Sequence, residues 1–454
     1  MRPLKLSSAG MRGIIGSGLT PENIIDFSRA FGTFIDGGRV IVARDTRFSS
    51  EMLHRGVVSA LLSCGCEVHD AGILPAPVVH FSINKLEAAG ALLIGGGHQA
   101  AGWNSIIPFN SEGAYCSAIQ LRELFDIYHS RRFIACDWAG AKKVIPVNPG
   151  ILDVYLDALC EFVDADLIAK SKFKIVCDFC NGSGSVLAEK LALRLGLEII
   201  PINNILTGVL PHDPEPRPRS AFQVQALIEP LQANAGFVYN SDMSRVGLVS
   251  DTGETLSEEY SFPLGTDYVL RKFKAEKPTV VTNICTTRIL DEVVKRHGGR
   301  VIKSRVGQSN IIDQMKESGA VLGGEGCGAF ACEGWVQGFD AMFMTVVILE
   351  AMAARNMRLS QLVDELPRYH IVKKTINCSS AHAYTVIRRL SNRFKDALVN
   401  EEDGLRLDWP DGWVSLRAST TDQVIRLISE WKTKTEAEDQ AMHIRGIIER
   451  LTAS

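Results

Sequence analysis

Ala91-Leu92-Leu93-Ile94-Gly95-Gly96-Gly97-His98-Gln99-Ala100-Ala101-Gly102-Trp103-Asn104 is the stretch from which the fold is read. It starts as an apolar run suited to a buried strand and stops in three glycines, which allow positive φ or close approach of the backbone to a ligand. The loop can cradle a ligand, yet it holds little covalent chemistry. The glycines carry no reactive atoms, Gln99 is not a nucleophile, and His98 alone could form a bond. Upstream, Thr20-Pro21-Glu22 joins an N-cap to an N1 proline, and Ile24, Ile25, Phe27, Ala30 and Phe31 give the following helix an apolar face. A strand over 40–43, a helix over 50–63, a strand over 67–70 and a helix over 78–86 then lead into the quoted strand. This βαβαβ series predicts a mostly parallel sheet.

The alternation recurs twice. Residues 173–177, 186–195 and 198–202 read as strand, helix and strand, and the scheme repeats over 279–282, 288–297, 300–303, 311–317 and 320–322. The end of the chain differs: 413–418 and 424–429 alternate like short strands, and 435–451 has helical spacing. The expected fold class is α/β: three tandem βαβ-type mixed-sheet domains over 1–150, 151–255 and 256–370, plus a small α+β domain over 371–454. No low-complexity linker separates them, so they are expected to meet around a central cleft.

At 454 residues the chain exceeds the size at which one core keeps growing. Its 46% hydrophobic and 22% charged residues are ordinary for a globular protein, and a net charge of −3 gives no reason to expect nucleic acid or an anionic membrane. A small-molecule ligand is the better expectation. The N-terminal Met1-Arg2-Pro3-Leu4-Lys5-Leu6 has no apolar signal region, and no apolar run of about 18 residues occurs, so a cytoplasmic location is expected. The 11 cysteines are scattered and odd in number, which fits a reducing compartment, and Cys177-Asp178-Phe179-Cys180 lacks the second pair a zinc site needs.

Each unit has one loop richer in glycine and polar residues than packing requires. After the triple-glycine loop come Gly236 to Gly247, containing Asn240-Ser241-Asp242-Met243-Ser244-Arg245, then Gly323-Gly324-Glu325-Gly326-Cys327-Gly328, and lastly Arg417 to Arg426. In the last, Arg417 and Arg426 bracket Ser419 and Thr421, groups suited to holding a phosphate by forked guanidinium contacts and hydroxyls.

In their order, these loops resemble those of the α-D-phosphohexomutases, the superfamily of phosphoglucomutase, phosphomannomutase and phosphoglucosamine mutase. Ser8-Ala9-Gly10-Met11-Arg12-Gly13 is similar to that family's opening G-I-R-G, and Arg44-Asp45-Thr46-Arg47-Phe48-Ser49-Ser50 to its G-R-D-x-R-x-S-S. His212-Asp213-Pro214-Glu215-Pro216, Arg305-Val306-Gly307 and Gly323-Gly324-Glu325 continue the series. The resemblance covers essentially the whole chain.

It implies a four-loop cleft that moves phosphate on a hexose, with uneven matches. The family's T-A-S-H-N-P loop, whose serine carries the phosphate, corresponds to Gly95 to Ala100, so Gly97 stands at the serine. The D-G-D-A-D-R metal loop corresponds to Asn240 to Arg245, which leaves Asp242 as the one retained carboxylate, with Asn240 and Ser244 at the other positions. A lysine usual after the serine loop is replaced by Ile107. The resemblance gives His98, Arg245 and Arg12 as catalytic candidates, and Glu325, Cys327, Arg417, Ser419, Thr421 and Arg426 as substrate-binding ones.

Magnesium is held mainly by carboxylates and phosphate oxygens, so a loop short of two carboxylates and a phosphoserine is expected to bind it poorly or not at all. The sequence therefore points to a phosphosugar-binding member that has lost the phosphoserine and Mg2+ route, with a partner protein as one way for binding to act. The alternative is an intramolecular phosphotransferase that works without the serine.

Overall fold

The computed structural model describes residues 4–7, 9–274, 276–391, 393–419 and 423–453. Four sheets follow one another along the chain. The first has seven strands in the order Leu4–Ser7, Gly10–Ile14, Trp103–Phe109, Gly90–Ile94, Arg39–Arg44, Glu67–Ile73 and Ile145–Pro146. Arg39–Arg44 pairs in parallel with both Gly90–Ile94 and Glu67–Ile73, and Ile145–Pro146 joins in parallel, but the remaining three pairings are antiparallel. The expectation of a mostly parallel sheet is thus corrected to an evenly mixed one. The reason is local: the 95–102 loop is too short for a crossover, so the chain can only return as a hairpin strand.

The same economy shapes the next two units. Lys174–Asp178 pairs in parallel with Glu198–Ile202 and Ala235–Tyr239, and Val246–Val249 returns antiparallel beside the latter. Thr279–Asn283 pairs in parallel with Arg300–Ser304 and Leu322–Glu325, and Ala329–Cys332 returns antiparallel. The fourth sheet is antiparallel throughout, in the order His370–Asn377, Val424–Trp431, Gly412–Ala418, Leu405–Asp408 and Leu398–Asn400. It has five strands where the alternation marked two, and the helix Lys434–Ala453 packs on it.

This topology decides where chemistry can sit. Three of the polar loops are hairpins between an inner strand of a sheet and its antiparallel return, 95–102, 240–245 and 326–328, and the fourth joins the antiparallel neighbours Gly412–Ala418 and Val424–Trp431. Placing a loop at a strand's C-terminal end, outside the sheet, frees its backbone groups from the ladder.

One apolar core runs through the first three units, joining Ile41 and Leu93 to Tyr155 and Phe237 and to Phe262, Phe330 and Phe343. Through it passes the helix Ala341–Arg355, buried from Ala341 to Met352. Asp340 caps it, accepting from the Met342 and Phe343 amides at 2.9 Å each, from the Tyr155 hydroxyl at 2.7 Å and from Trp335 Nε1 at 2.8 Å. Ala341 N donates to Met243 O at 2.9 Å, which fastens the second polar loop to the rigid centre of the molecule. The fourth unit has its own core of Leu407, Leu416, Leu427 and Ile444.

Cys177 and Cys180 are buried free thiols, and burial pushes both up to about 12, where neither is a nucleophile or ligand at neutral pH. Among the described residues, no helix is long and apolar enough to cross a membrane.

Candidate functional site

The first loop is braced from below. Buried Asp45 accepts from Gly96 N at 2.9 Å and Arg47 N at 3.0 Å, and pairs with Arg47 Nε at 3.1 Å. The Arg47 guanidinium then reaches three carbonyls of the loop: Gln99 O at 2.6 Å, Ala100 O at 2.8 Å and Trp103 O at 3.0 Å. A Cβ on Gly96 would fall inside that guanidinium, so this glycine is there to admit the brace. Gly97 has φ +51° and its ideal Cβ would lie 2.8 Å from Asp242 Oδ2, so a side chain there meets both a disfavoured backbone and a carboxylate.

The second loop folds its polar groups onto itself. Arg245 N donates to Asn240 Oδ1 at 3.1 Å, which fixes the amide orientation and turns its NH2 toward Asp242. Asp242 Oδ1 accepts from Asn240 Nδ2 at 2.7 Å, Ser244 Oγ at 2.7 Å and Ser244 N at 3.0 Å. Ser241 Oγ donates to Gly97 O at 2.6 Å and ties the two loops together. An ion site needs converging acceptors, and here two of the three positions present donors to the third. Among the described residues, no group of three His, Cys, Asp or Glu side chains is arranged to hold a metal ion. Asn240 and Ser244 bring an amide and a hydroxyl, and Asp242 brings the carboxylate of this loop.

Cations collect at the centre of the cleft. Burial and the positive charges of Arg245, Arg12 and Arg426 push His98 down to about 3, with Glu215 opposing, so its imidazole is neutral at any working pH. Its Nε2 lies 3.1 Å from Gln99 Nε2. Arg245 Nη1 donates to Glu215 Oε1 at 2.6 Å, and Nη2 lies 3.9 Å from Glu325 Oε2. Burial alone would raise Glu215, but Arg245 and Arg217 outweigh it and hold the carboxyl down at about 2. Arg12 comes from Gly10–Ile14, whose register places it opposite Ser105 and so beside the start of the first loop.

The third loop keeps its recognition group in place. Glu325 Oε1 accepts from Asn283 Nδ2 at 2.9 Å and Gly307 N at 3.1 Å, while among the described residues Oε2 meets the weak Cys327 thiol at 3.5 Å and the more distant Arg245. Oε2 therefore retains capacity for a hydroxyl donor. In the fourth unit Arg417 and Arg426 are direct cross-strand partners. Like charges directly opposite on one sheet face repel, and a dianion between them removes that cost. Ser419 N donates to Val424 O at 2.9 Å, closing the turn; Thr421 lies outside the described residues. Ile107 sits in Trp103–Phe109 and packs against the core, so the lysine position of the resemblance is here an apolar one.

Comparison with known proteins gives the same order of units. Three models match in succession: phosphoglucomutase/phosphomannomutase α/β/α domain I over residues 4–135, domain II over 153–253 and domain III over 258–369. A probable phosphoglucosamine mutase of Pyrococcus abyssi is 32% identical over 435 residues, covering 95% of this chain and 94% of that protein. The chain belongs to the α-D-phosphohexomutase superfamily. A Thermococcus kodakarensis phosphoglucomutase/phosphomannomutase is 30% identical with 95% of each chain covered. A crystallised phosphoglucomutase/phosphomannomutase family protein of Burkholderia thailandensis shares the fold at a TM-score of 0.84 and 24% identity, with 98% of each chain covered.

Within this phosphohexomutase-family chain, the charges of Arg245, Arg12 and Arg426 bear on His98, those of Cys327, Glu325 and Asp242 bear on Arg245, and Arg417 is the cross-strand partner of Arg426. Four further residues of the site carry no signal of their own in the sequence reading: Arg47 as the loop's brace, Glu215 as the partner of Arg245, Asn283 as the partner of Glu325, and Asp403, 3.3 Å from Arg417. Two of them lie in segments quoted for the resemblance, so position was visible even where role was not.

Proposed function

We propose that this phosphohexomutase-family protein binds a phosphorylated hexose in the cleft and has lost the phosphoserine and Mg2+ route for moving the phosphate. The sugar hydroxyls meet Glu325 and Cys327, and the phosphate meets Arg417, Arg426 and Ser419, with Thr421 expected beside them. Arg12, Arg245 and neutral His98 line the opposite side. The observation that carries this reading is the state of Asp242, whose Oδ1 takes three hydrogen bonds from its own loop while Oδ2 faces the position a side chain at 97 would need. Phosphoryl transfer depends on in-line positioning and on neutralising charge at the transferred group, and both supports are absent from this arrangement. The role is then one of binding, in the cytoplasm, with a partner enzyme as the natural receiver of the signal.

The names of the relatives favour a second reading, a mutase that passes phosphate without a protein serine. One set of measurements separates the two. Calorimetry with glucosamine 6-phosphate and glucose 6-phosphate is expected to show binding that EDTA does not alter and that Arg417→Ala weakens by about 100-fold, the range of one or two charge-assisted hydrogen bonds. Turnover with Mg2+ and catalytic sugar bisphosphate, a phosphoryl adduct in the intact mass, or turnover abolished by His98→Ala would replace the first reading by the second.

A further inference from the structure

One carboxylate joins the two halves of the recognition cleft and matches no motif. Asp403 sits in the turn between Leu398–Asn400 and Leu405–Asp408. Its neighbour Gly404 has φ +93°, and a Cβ there would strike Leu416 O, so the turn lies flat against Gly412–Ala418. Since Leu405 pairs with Leu416, this turn falls beside Arg417. Asp403 Oδ1 lies 3.3 Å from Arg417 Nε, and Oδ2 accepts from Val306 N at 2.9 Å. The next amide in the chain, Gly307 N, donates to Glu325 Oε1 at 3.1 Å. Two successive amides of one loop are thus held by two carboxylates, one tied to the phosphate strand and the other to the sugar loop.

We infer that Asp403 is a positioning residue that sets the separation between Arg417 and Glu325, and so makes the cleft select a phosphate attached to a sugar over a free phosphate. This rests on the phosphosugar reading above. A carboxylate at Nε orients the guanidinium and leaves the Nη edge as the face a phosphate oxygen meets in forked geometry. Coulomb attraction from Asp403 also competes with the ligand for the same cation, so its charge lowers affinity for any bare anion. For a hexose phosphate, fixed spacing between the two contacts outweighs that competition, because both ends bind without a fresh ordering cost. The two effects have opposite signs for the two ligands, which a purely structural ion pair would not produce.

The test is calorimetry of the full chain with glucosamine 6-phosphate and with inorganic phosphate, before and after Asp403→Asn. The amide keeps the shape and removes the charge. The expected result is a glucosamine 6-phosphate Kd raised about 10-fold and an inorganic phosphate Kd unchanged or lower, so that the inorganic phosphate Kd divided by the glucosamine 6-phosphate Kd falls by at least about 10-fold. Should the Asn variant not fold, Asp403→Ser carries the same expectation. Equal changes in both constants, or no change in either, would overturn the inference while leaving the phosphosugar reading intact. A wild-type chain that binds neither ligand removes that reading, and this inference with it.

Discussion

The hairpins at 95–102 and 240–245, on one side, and the hairpin at 326–328 with the strand pair Gly412–Ala418 and Val424–Trp431, on the other, occupy equivalent places in their sheets, yet they treat their polar groups in opposite ways. In the first pair the groups are turned inward: Arg47 is spent on loop carbonyls and Asp242 Oδ1 on Asn240 and Ser244. In the second pair Glu325 Oε2 is met, among the described residues, by the Cys327 thiol and the more distant Arg245, and Arg417 and Arg426 lie directly opposite each other on neighbouring strands. Equal topology therefore does not preserve equal chemistry. Where the resemblance marks the reacting groups as lost, the surrounding donors and acceptors have satisfied one another, because a buried polar group without a partner costs about 1–3 kcal/mol.

That contrast can be broken most forcefully at Arg47. Arg47→Ala strands buried Asp45 and releases three loop carbonyls, and chemical denaturation is expected to show a loss of about 3–5 kcal/mol, the range for breaking a buried ion pair. A smaller loss would mean that the first loop is not rigidly self-contained. Next comes Gly97→Ser. A serine there meets φ +51° and the Asp242 carboxylate, so stability falls by about 1–3 kcal/mol and no phosphoryl adduct appears on incubation with sugar bisphosphate. A gain of adduct would show that the loop still has room for the chemistry.

The third test uses pH. Burial raises Glu259 to about 7, with Lys373 opposing and Glu258 and Glu430 adding to the rise; its carboxylate touches Lys373 Nζ at 2.7 Å and Thr287 N at 3.1 Å, directly under Gly326. A carboxyl whose folded pKa lies above its ordinary 4.5 binds more protons folded than unfolded between those values. Its contribution is complete below 4.5 and is lost as pH rises through about 7. The thermal midpoint is expected to fall over that window in the wild type and to flatten in Glu259→Gln, by roughly 1 kcal/mol or more in equivalent stability. An unchanged slope would place the pH sensitivity elsewhere. The smallest expected effect is that of EDTA, which should leave the thermal midpoint unmoved, and a clear drop would mean that the Asn240–Arg245 loop does hold an ion.

How far the sequence reached can be judged element by element. Thr20-Pro21 marked the start of Pro21–Phe34, and 198–202 matched its strand, because caps and short apolar runs are local signals. The helix Ala341–Arg355 had no such signal, since a segment buried on every side has no polar face and no period to detect. The strands Leu398–Asn400 and Leu405–Asp408 carry no such signal either, being three and four residues long, too short to show an alternation. In the site, the residue types of the four loops were legible at once. The brace of Arg47 on 99–103, and the link from Asp403 to Val306 across 97 positions, were not, as each depends on where a distant strand returns.

By itself the sequence determined the order of four α/β and α+β units, the polar loop that ends each central strand, and the absence of serine at 97 and of carboxylates at 240 and 244. Only the tertiary structure decided that Asn240 and Ser244 hydrogen-bond Asp242, that His98 is neutral among three guanidinium groups, and that Asp403 links Val306 to Arg417. The division has a physical origin. Side-chain identity is the sequence itself and local backbone preference follows from neighbours in it, whereas charge state and hydrogen-bond satisfaction are set by burial and by groups brought close only when the sheets pack.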